Sequence, residues 1–329
     1  MNRSRAIGIT LVVVNAVAYG SGGLFARPAY AAGIDWLTLM AWRFGIAGAL
    51  SWVLVAASPS ARAALRSLDR RSFLGSVLLG VWFISNTATY YAGIATVPLS
   101  LAGLIVYIYP PVVAVLAVFF GLPLEGRRAW TALAIAVVGV VLAVGGIDAS
   151  KAPPVGGLLL VLAAPLLYSG WIILAARHTG EDRRRTGAEA VGGNNVLLAS
   201  ALLLSTTGIS YWTWCLVTSH PVLPGDIPAA AWPGILGVAV IAGFLAPQAF
   251  YAGAQRVGAA QASLISTVEP LWTIVAAGVV LGERLEPLQW MGGAMILFGV
   301  LLSQTRGRRP PTADEEPVLP QPLVHLGEE

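Results

Sequence analysis

Charge is what this chain has least of: 11% of its 329 residues are Asp, Glu, Lys or Arg, against 57% hydrophobic. Soluble domains carry roughly 25% charged residues, so a water-facing surface is excluded for most of the chain. Sustained alternation of polar and apolar residues is also missing. The apolar residues gather instead in unbroken runs of about 20, the length at which a helix crosses a hydrocarbon core of roughly 30 Å, and this excludes barrel strands. A single cysteine, Cys215, excludes an intrachain disulfide and a cysteine-based metal cluster. His178, His220 and His325 fall between or beyond the runs, and Asp35, Asp69, Asp148, Asp182, Asp226 and Asp314 lie at run ends or outside them. The runs therefore hold no Ser/His pair, aspartate pair or metal set, which argues against an intramembrane enzyme; no metal and no cofactor is expected.

What is present is an all-α integral membrane protein whose solvent is the lipid bilayer, because backbone amides in lipid must be satisfied within their own segment. Breaks at charged or Pro/Gly-rich stretches give spans near 6–26, 35–57, 72–93, 97–121, 128–146, 154–176, 188–212, 229–252, 258–281 and 287–303. The first run, behind Arg3 and Arg5, is long enough to span and reads as an uncleaved helix rather than a signal peptide. With the N-terminus cytoplasmic, sixteen basic residues fall on the cytoplasmic side: Arg3, Arg5, Arg62, Arg66, Arg70, Arg71, Arg127, Arg128, Arg177, Arg183, Arg184, Arg185, Arg256, Arg306, Arg308 and Arg309. Only Arg27, Lys151 and Arg284 fall opposite, and Arg43 lies inside a span. The positive-inside rule then places both termini in the cytoplasm of a cell with a multi-pass inner or plasma membrane protein. The net charge of +4 reports topology, and no nucleic-acid partner is expected. Residues 304–329, rich in proline and mixed charge, read as a disordered cytoplasmic tail.

Shifted by 160 residues, the chain matches itself. Tyr91-Ala92-Gly93 falls on Tyr251-Ala252-Gly253, Val97 on Val257, Leu104-Ile105 on Leu264-Ile265, Pro110 on Pro270, Trp130 on Trp290 and Gly139-Val140 on Gly299-Val300. A weaker match at offset 149 places Gly8 on Gly157 and Tyr19 on Tyr168. Duplication gives two five-helix halves, residues 1–146 and 147–303. An odd number of spans per half makes the second copy enter from the opposite side, so the expected fold is ten transmembrane helices in two inverted repeats.

Arg43-Phe44 in the second span, the IYPP run ending at Pro111, and Glu269-Pro270 followed by the string from Leu281 to Leu302 with its Gly282-Glu283 pair resemble the drug/metabolite transporter superfamily, specifically its EamA-type permeases. The resemblance covers nearly the whole chain up to Ser303. It implies transport of a small organic solute, often export of an amino acid or related metabolite, by a monomer or homodimer. Two departures stand out. At the equivalent of Gly282-Glu283 the first half reads Leu122-Pro123, and the first span offers Asn15 and Tyr19 where small multidrug pumps of the superfamily carry an acid. A channel or membrane sensor on the same fold stays open, as does a nucleotide-sugar or drug carrier, although a phosphate-bearing substrate asks for more basic residues than Arg43.

A charge within the bilayer costs about 2.5 to 3.5 kcal/mol on insertion scales, so Arg43 and Glu269 are the leading site candidates. They suit the carboxylate and ammonium of a zwitterion, or alternatively a structural pair. Ser266, Glu269 and Thr273 form one polar helical stripe, and Tyr109 is the repeat equivalent of Glu269. Pro110, Pro111 and Pro270 mark expected mid-span breaks. Asn15, Tyr19, Trp82, Asn86, Tyr90, Tyr168, Trp171, Gln248 and Tyr251 complete the candidate wall of a substrate site, since their polar groups avoid hydrocarbon.

Overall fold

The computed structural model describes residues 3–119, 127–145, 152–178, 195–257, 262 and 265–304. Among these every regular element is helical. In chain order they are α1 Arg3–Gly20, α2 Gly22–Ala31, α3 Trp36–Ala57, α4 Pro59–Arg66, α5 Arg70–Ile94, α6 Leu99–Val106, α7 Tyr109–Phe119, α8 Arg127–Gly145, α9 Val155–His178 and α10 Val196–Val217. There follow α11 Trp232–Leu236, a π-helical stretch Gly237–Leu245, α12 Ala246–Val257, α13 Val268–Leu281 and α14 Pro287–Gln304. Five helical segments are long and apolar enough to cross a membrane: Arg3–Ala31, Trp36–Ala57, Arg70–Ile94, Val155–Ala175 and Ala229–Ala254. Shorter apolar helices cover Leu99–Val113, Trp130–Val144, Val268–Leu281 and Pro287–Ser303. Gln304, the first residue of the expected tail, ends α14; the rest of that tail lies outside the described residues, as does the start of the span read at 188–212.

Local chemistry sets the helix ends. Asp35 caps α3 by accepting from Thr38 N at 2.7 Å, Asp69 caps α5 through Arg71 N and Ser72 N, and Asn195 caps α10 through Leu197 N and Leu198 N. Hydrogen bonding from Ser72 holds the Asp69 carboxyl below the usual carboxylate range. Ser58 caps α4, with Pro59 in its first turn. This short helix sits where the sequence suggested only a basic connecting segment.

Packing repeats with the sequence. Glycines let backbones approach where no side chain would fit: a Cβ on Gly93 would lie 2.5 Å from Val161 Cγ2 and 3.2 Å from Gly157 O, and one on Gly253 would lie 2.6 Å from Val12 Cγ2 and 2.9 Å from Gly8 O. The matched pair Gly139 and Gly299 does the same between α8 and α14: a Cβ on Gly139 would lie 2.7 Å from Gly292 O, and one on Gly299 2.7 Å from Ala132 O. Each contact maps onto its partner under the two sequence offsets. The core between the halves is filled by Leu39, Met40, Phe44, Ile94, Leu101, Leu104, Ile105 and Tyr211, all fully buried.

Candidate functional site

Three interruptions in otherwise apolar helices meet inside the bundle. The first is Gly20-Ser21-Gly22-Gly23 between α1 and α2, the second Tyr107-Ile108 between α6 and α7, the third Ser266-Thr267 ahead of α13. The last two tighten into i→i−3 bonds, Tyr107 N to Leu104 O at 3.3 Å and Ile108 N to Ile105 O at 3.2 Å in one, Glu269 N to Ser266 O at 3.0 Å in the other. Freed backbone groups then bond across helices. Thr273 Oγ1 donates to Gly20 O at 3.1 Å, Trp272 Nε1 to Ser21 Oγ at 2.8 Å, and the Tyr107 hydroxyl to Ser266 O. Gly20 and Gly22 leave the room: a Cβ on either would stand 2.7 Å from Thr273 Oγ1 or 2.9 Å from the Tyr91 hydroxyl. Pro110, Pro111 and Pro270 do not sit at these breaks but just after them, in the first turns of α7 and α13. A first-turn proline lacks an N–H that has no helical partner anyway.

Arg43 projects from α3 into this region and is 3% exposed. Its guanidinium lies over two aromatic faces, 5.1 Å from the Phe44 centroid and 4.8 Å from that of Tyr91, with Tyr19 within electrostatic reach. Nε and Nη1 are buried with no hydrogen-bond partner. Each such donor costs about 1–3 kcal/mol, while each ring face returns about 0.5–2 kcal/mol. Packing alone therefore leaves the cation under-compensated. The π-helical stretch runs alongside, with a Cβ on Gly243 falling 3.5 Å from Arg43 Cγ. π-Helical segments are rare and concentrate at functional sites.

Glu269 opens α13 on the other side of the same region. Tyr19, Tyr90, Tyr91, Tyr107, Tyr109 and Tyr168 all stand within electrostatic reach of its carboxylate. Among the described residues no basic nitrogen comes within 4.0 Å of it, the ion pairs found being Arg27 with Glu283 and Asp35 with His220. The structural alternative of an Arg43–Glu269 pair is thus not made. Tyr19, Tyr90 and Tyr91 lie within electrostatic reach of both charges.

The site brings together Arg43, Glu269, Tyr19, Tyr90, Tyr109 and Tyr168 of the expected set. Rings continue through Tyr109–Tyr168 at 5.0 Å, Tyr168–Trp171 at 5.8 Å and Trp171–Phe83 at 5.0 Å, and return to Phe44 at 5.9 Å. Other candidates are occupied differently. Asn15, its amide nitrogen turned toward α12, donates to Ala246 O at 2.9 Å and ties α1 to that helix. Trp82, 42% exposed, donates to Leu167 O at the edge of the α5–α9 seam, and Trp171 Nε1 bonds Leu79 O. Ser266 and Thr273 hydroxyls bond helix carbonyls. Asn86 is buried on α5, Gln248 half-buried on α12, and Tyr251 is 37% exposed beside Phe250.

Sequence reasoning missed Tyr91 and Tyr107 as site residues and the Gly20–Gly23 break altogether. The signals were there: Tyr91 heads the strongest repeat match, and three glycines around one serine interrupt an otherwise apolar span.

A model of the EamA-like transporter family matches the chain twice, over residues 6–145 and 155–305. An uncharacterized transporter of Archaeoglobus fulgidus is 26% identical over 307 residues, 92% of this chain and 97% of the relative. The uncharacterized transporters YwfM and YcbK of Bacillus subtilis are 27% and 26% identical over 161 and 167 residues, 49% of each chain compared. A solved crystal structure superposes with a TM-score of 0.58 at 17% identity, covering 91% of this chain and 96% of that one, a likeness of fold.

Proposed function

The chain belongs to the EamA-like transporter family, and we propose that it carries a small zwitterionic metabolite, such as an amino acid, out of the cell. In this reading residues 1–146 and 147–303 are inverted five-helix halves that rock about a midplane site, with both termini in the cytoplasm. The paired glycine contacts, in which each half grips the other in the same way, support that arrangement.

One observation carries the substrate class: a buried cation, Arg43, and a half-buried carboxylate, Glu269, face one aromatic site and are left unpaired with each other. Arg43 keeps two buried N–H donors free, and Glu269 has no cation within 4.0 Å among the described residues. A zwitterion satisfies both, its carboxylate on the guanidinium and its ammonium on the carboxylate, while tyrosine faces bind the cationic end and any apolar side chain. An anionic nucleotide sugar would leave Glu269 opposed to its charge.

Counterflow in proteoliposomes tests this, with pooled radiolabelled L-amino acids outside and unlabelled ones within. A carrier gives saturable uptake accelerated by the inside pool, and a channel gives neither saturation nor acceleration. Arg43→Gln and Glu269→Gln should each abolish the acceleration in well-folded protein. Unchanged affinity in both variants would remove the charges from the site.

A further inference from the structure

At the end of the bundle that carries Arg27, one carboxylate joins three helical elements. Glu283, in the turn after α13, accepts from Leu99 N through Oε1 at 2.9 Å, and through Oε2 from Ser100 N at 2.8 Å and the Ser100 hydroxyl at 2.7 Å. α6 begins at Leu99, and the preceding Pro98 has no side chain that can cap it. Glu283 supplies across 184 residues the acceptors that a local cap would provide. Arg27, near the end of α2, adds a third element. Its Nη2 lies 3.7 Å from Glu283 Oε1 and donates to Val97 O at 2.6 Å. α2, α6 and the α13–α14 turn, drawn from both halves, thus meet at a single side chain.

The placement is built into the backbone. Gly282 ends α13 at φ 69°, a left-handed conformation that suits glycine, and Glu283 N then bonds back to Ala277 O at 3.3 Å. A cleft of about 440 Å³ lined by Ser100, Gly278, Glu283, Arg284 and Trp290 adjoins the carboxylate and gives it room to swing away. Under the 160-residue repeat, Glu283 corresponds to Pro123, and Leu99 and Ser100 to Ala259 and Ala260. The second copy of these three positions has neither a carboxylate nor a hydroxyl.

We propose that Glu283, Arg27 and Ser100 form a one-sided gate, which shuts this end of the substrate path when made and opens it when broken. At the equivalent positions the other copy has Pro123, Ala259 and Ala260, which cannot repeat the contact, so the resting protein favours the state closed at the Arg27 end. The gating role rests on the carrier reading above; the conformational bias does not.

Electron–electron distance measurement on full-length protein in liposomes tests it, with spin labels on Ala31→Cys and Arg284→Cys, both exposed, in a Cys215→Ser background. The parent should show one short-distance population. Glu283→Ala should raise the longer-distance population at least about tenfold and Ser100→Ala about threefold, following the number of charge-assisted bonds removed. Unchanged distances in both variants, with thermal stability intact, would reduce Glu283 to a helix cap and overturn the gate. Should Glu283→Ala fail to insert, Ser100→Ala and Arg27→Gln decide by the same readout. Counterflow of the pooled amino acids is measured on the same samples: shifted distances without any parental flux uphold the bias and sink the zwitterion reading, while flux with unshifted distances does the reverse.

Discussion

Gly139 and Gly299 hold equivalent places in the two halves and do the same thing, each admitting the backbone of the opposite helix so closely that an added Cβ would stand 2.7 Å from a carbonyl oxygen. Tyr109 and Glu269 hold equivalent places and do not: one offers a ring and a hydroxyl, the other the carboxylate at the centre of the site. Glu283 and Pro123 diverge in the same way. Packing between halves answers to backbone geometry, which duplication copies and every later substitution must respect. In the proposed reading the ligand contact is made once at a shared central site, so one copy of the charge suffices, and a second carboxylate there would repel the first.

The largest effect should separate Glu269 from Tyr109. Losing the partner of a buried charged contact costs about 2–5 kcal/mol, so Glu269→Gln should lower counterflow by at least about thirtyfold, whereas Tyr109→Phe should lower it by less than about threefold. Equal losses would break the contrast. Next comes the packing pair: Gly139→Val and Gly299→Val each force a side chain against backbone and should lower stability by about 1–3 kcal/mol, to similar extents in thermal unfolding in detergent. A loss confined to one of them would show that the halves pack unequally. Thr273 has Val113 as its equivalent, so Thr273→Val makes the halves more alike. It removes the hydroxyl that links α13 to Gly20 and should cost about 1 kcal/mol, read from the same unfolding curves. Smallest are Pro110→Ala and Pro270→Ala, which should change stability by less than about 1 kcal/mol and flux by less than about twofold, because both prolines follow the breaks rather than cause them. A large loss at either would return the break to the proline.

The apolar runs made the helical membrane fold legible, and the offsets of 160 and 149 made the duplication legible, because both depend on composition and order along the chain. Arg43 and Glu269 stood out for the same reason, as charges where lipid tolerates few. What the chain did not reveal depends on approach between distant segments. Asn15 looked like a site residue, yet it binds Ala246 O, and only the packing of α1 on α12 decides that. The first span was read as one run over 6–26, and Arg3–Ala31 is one span-length segment; the turn at Ser21 between Arg3–Gly20 and Gly22–Ala31, where Thr273 and Trp272 reach it, was not read. The π-helical stretch Gly237–Leu245 carries no pattern of its own, and Glu283 was recognised by resemblance while its partners Leu99 and Ser100, 184 and 183 residues away, were not.

The single Glu283 clasp bears on kinetics as well as shape. A carrier with no energy source cannot favour net flow one way, because detailed balance fixes the ratio of its forward and reverse efficiencies at unity for a neutral cycle. A clasp at one end alone changes something else, the fraction of molecules presenting the site to each side at rest. Apparent affinity falls in proportion to that fraction, so a resting bias of tenfold makes half-saturation about tenfold harder to reach from the clasped side than from the other. The same protein then works near capacity on dilute solute at one face and stays unsaturated at the other, a poise set by one carboxylate that its duplicate no longer has.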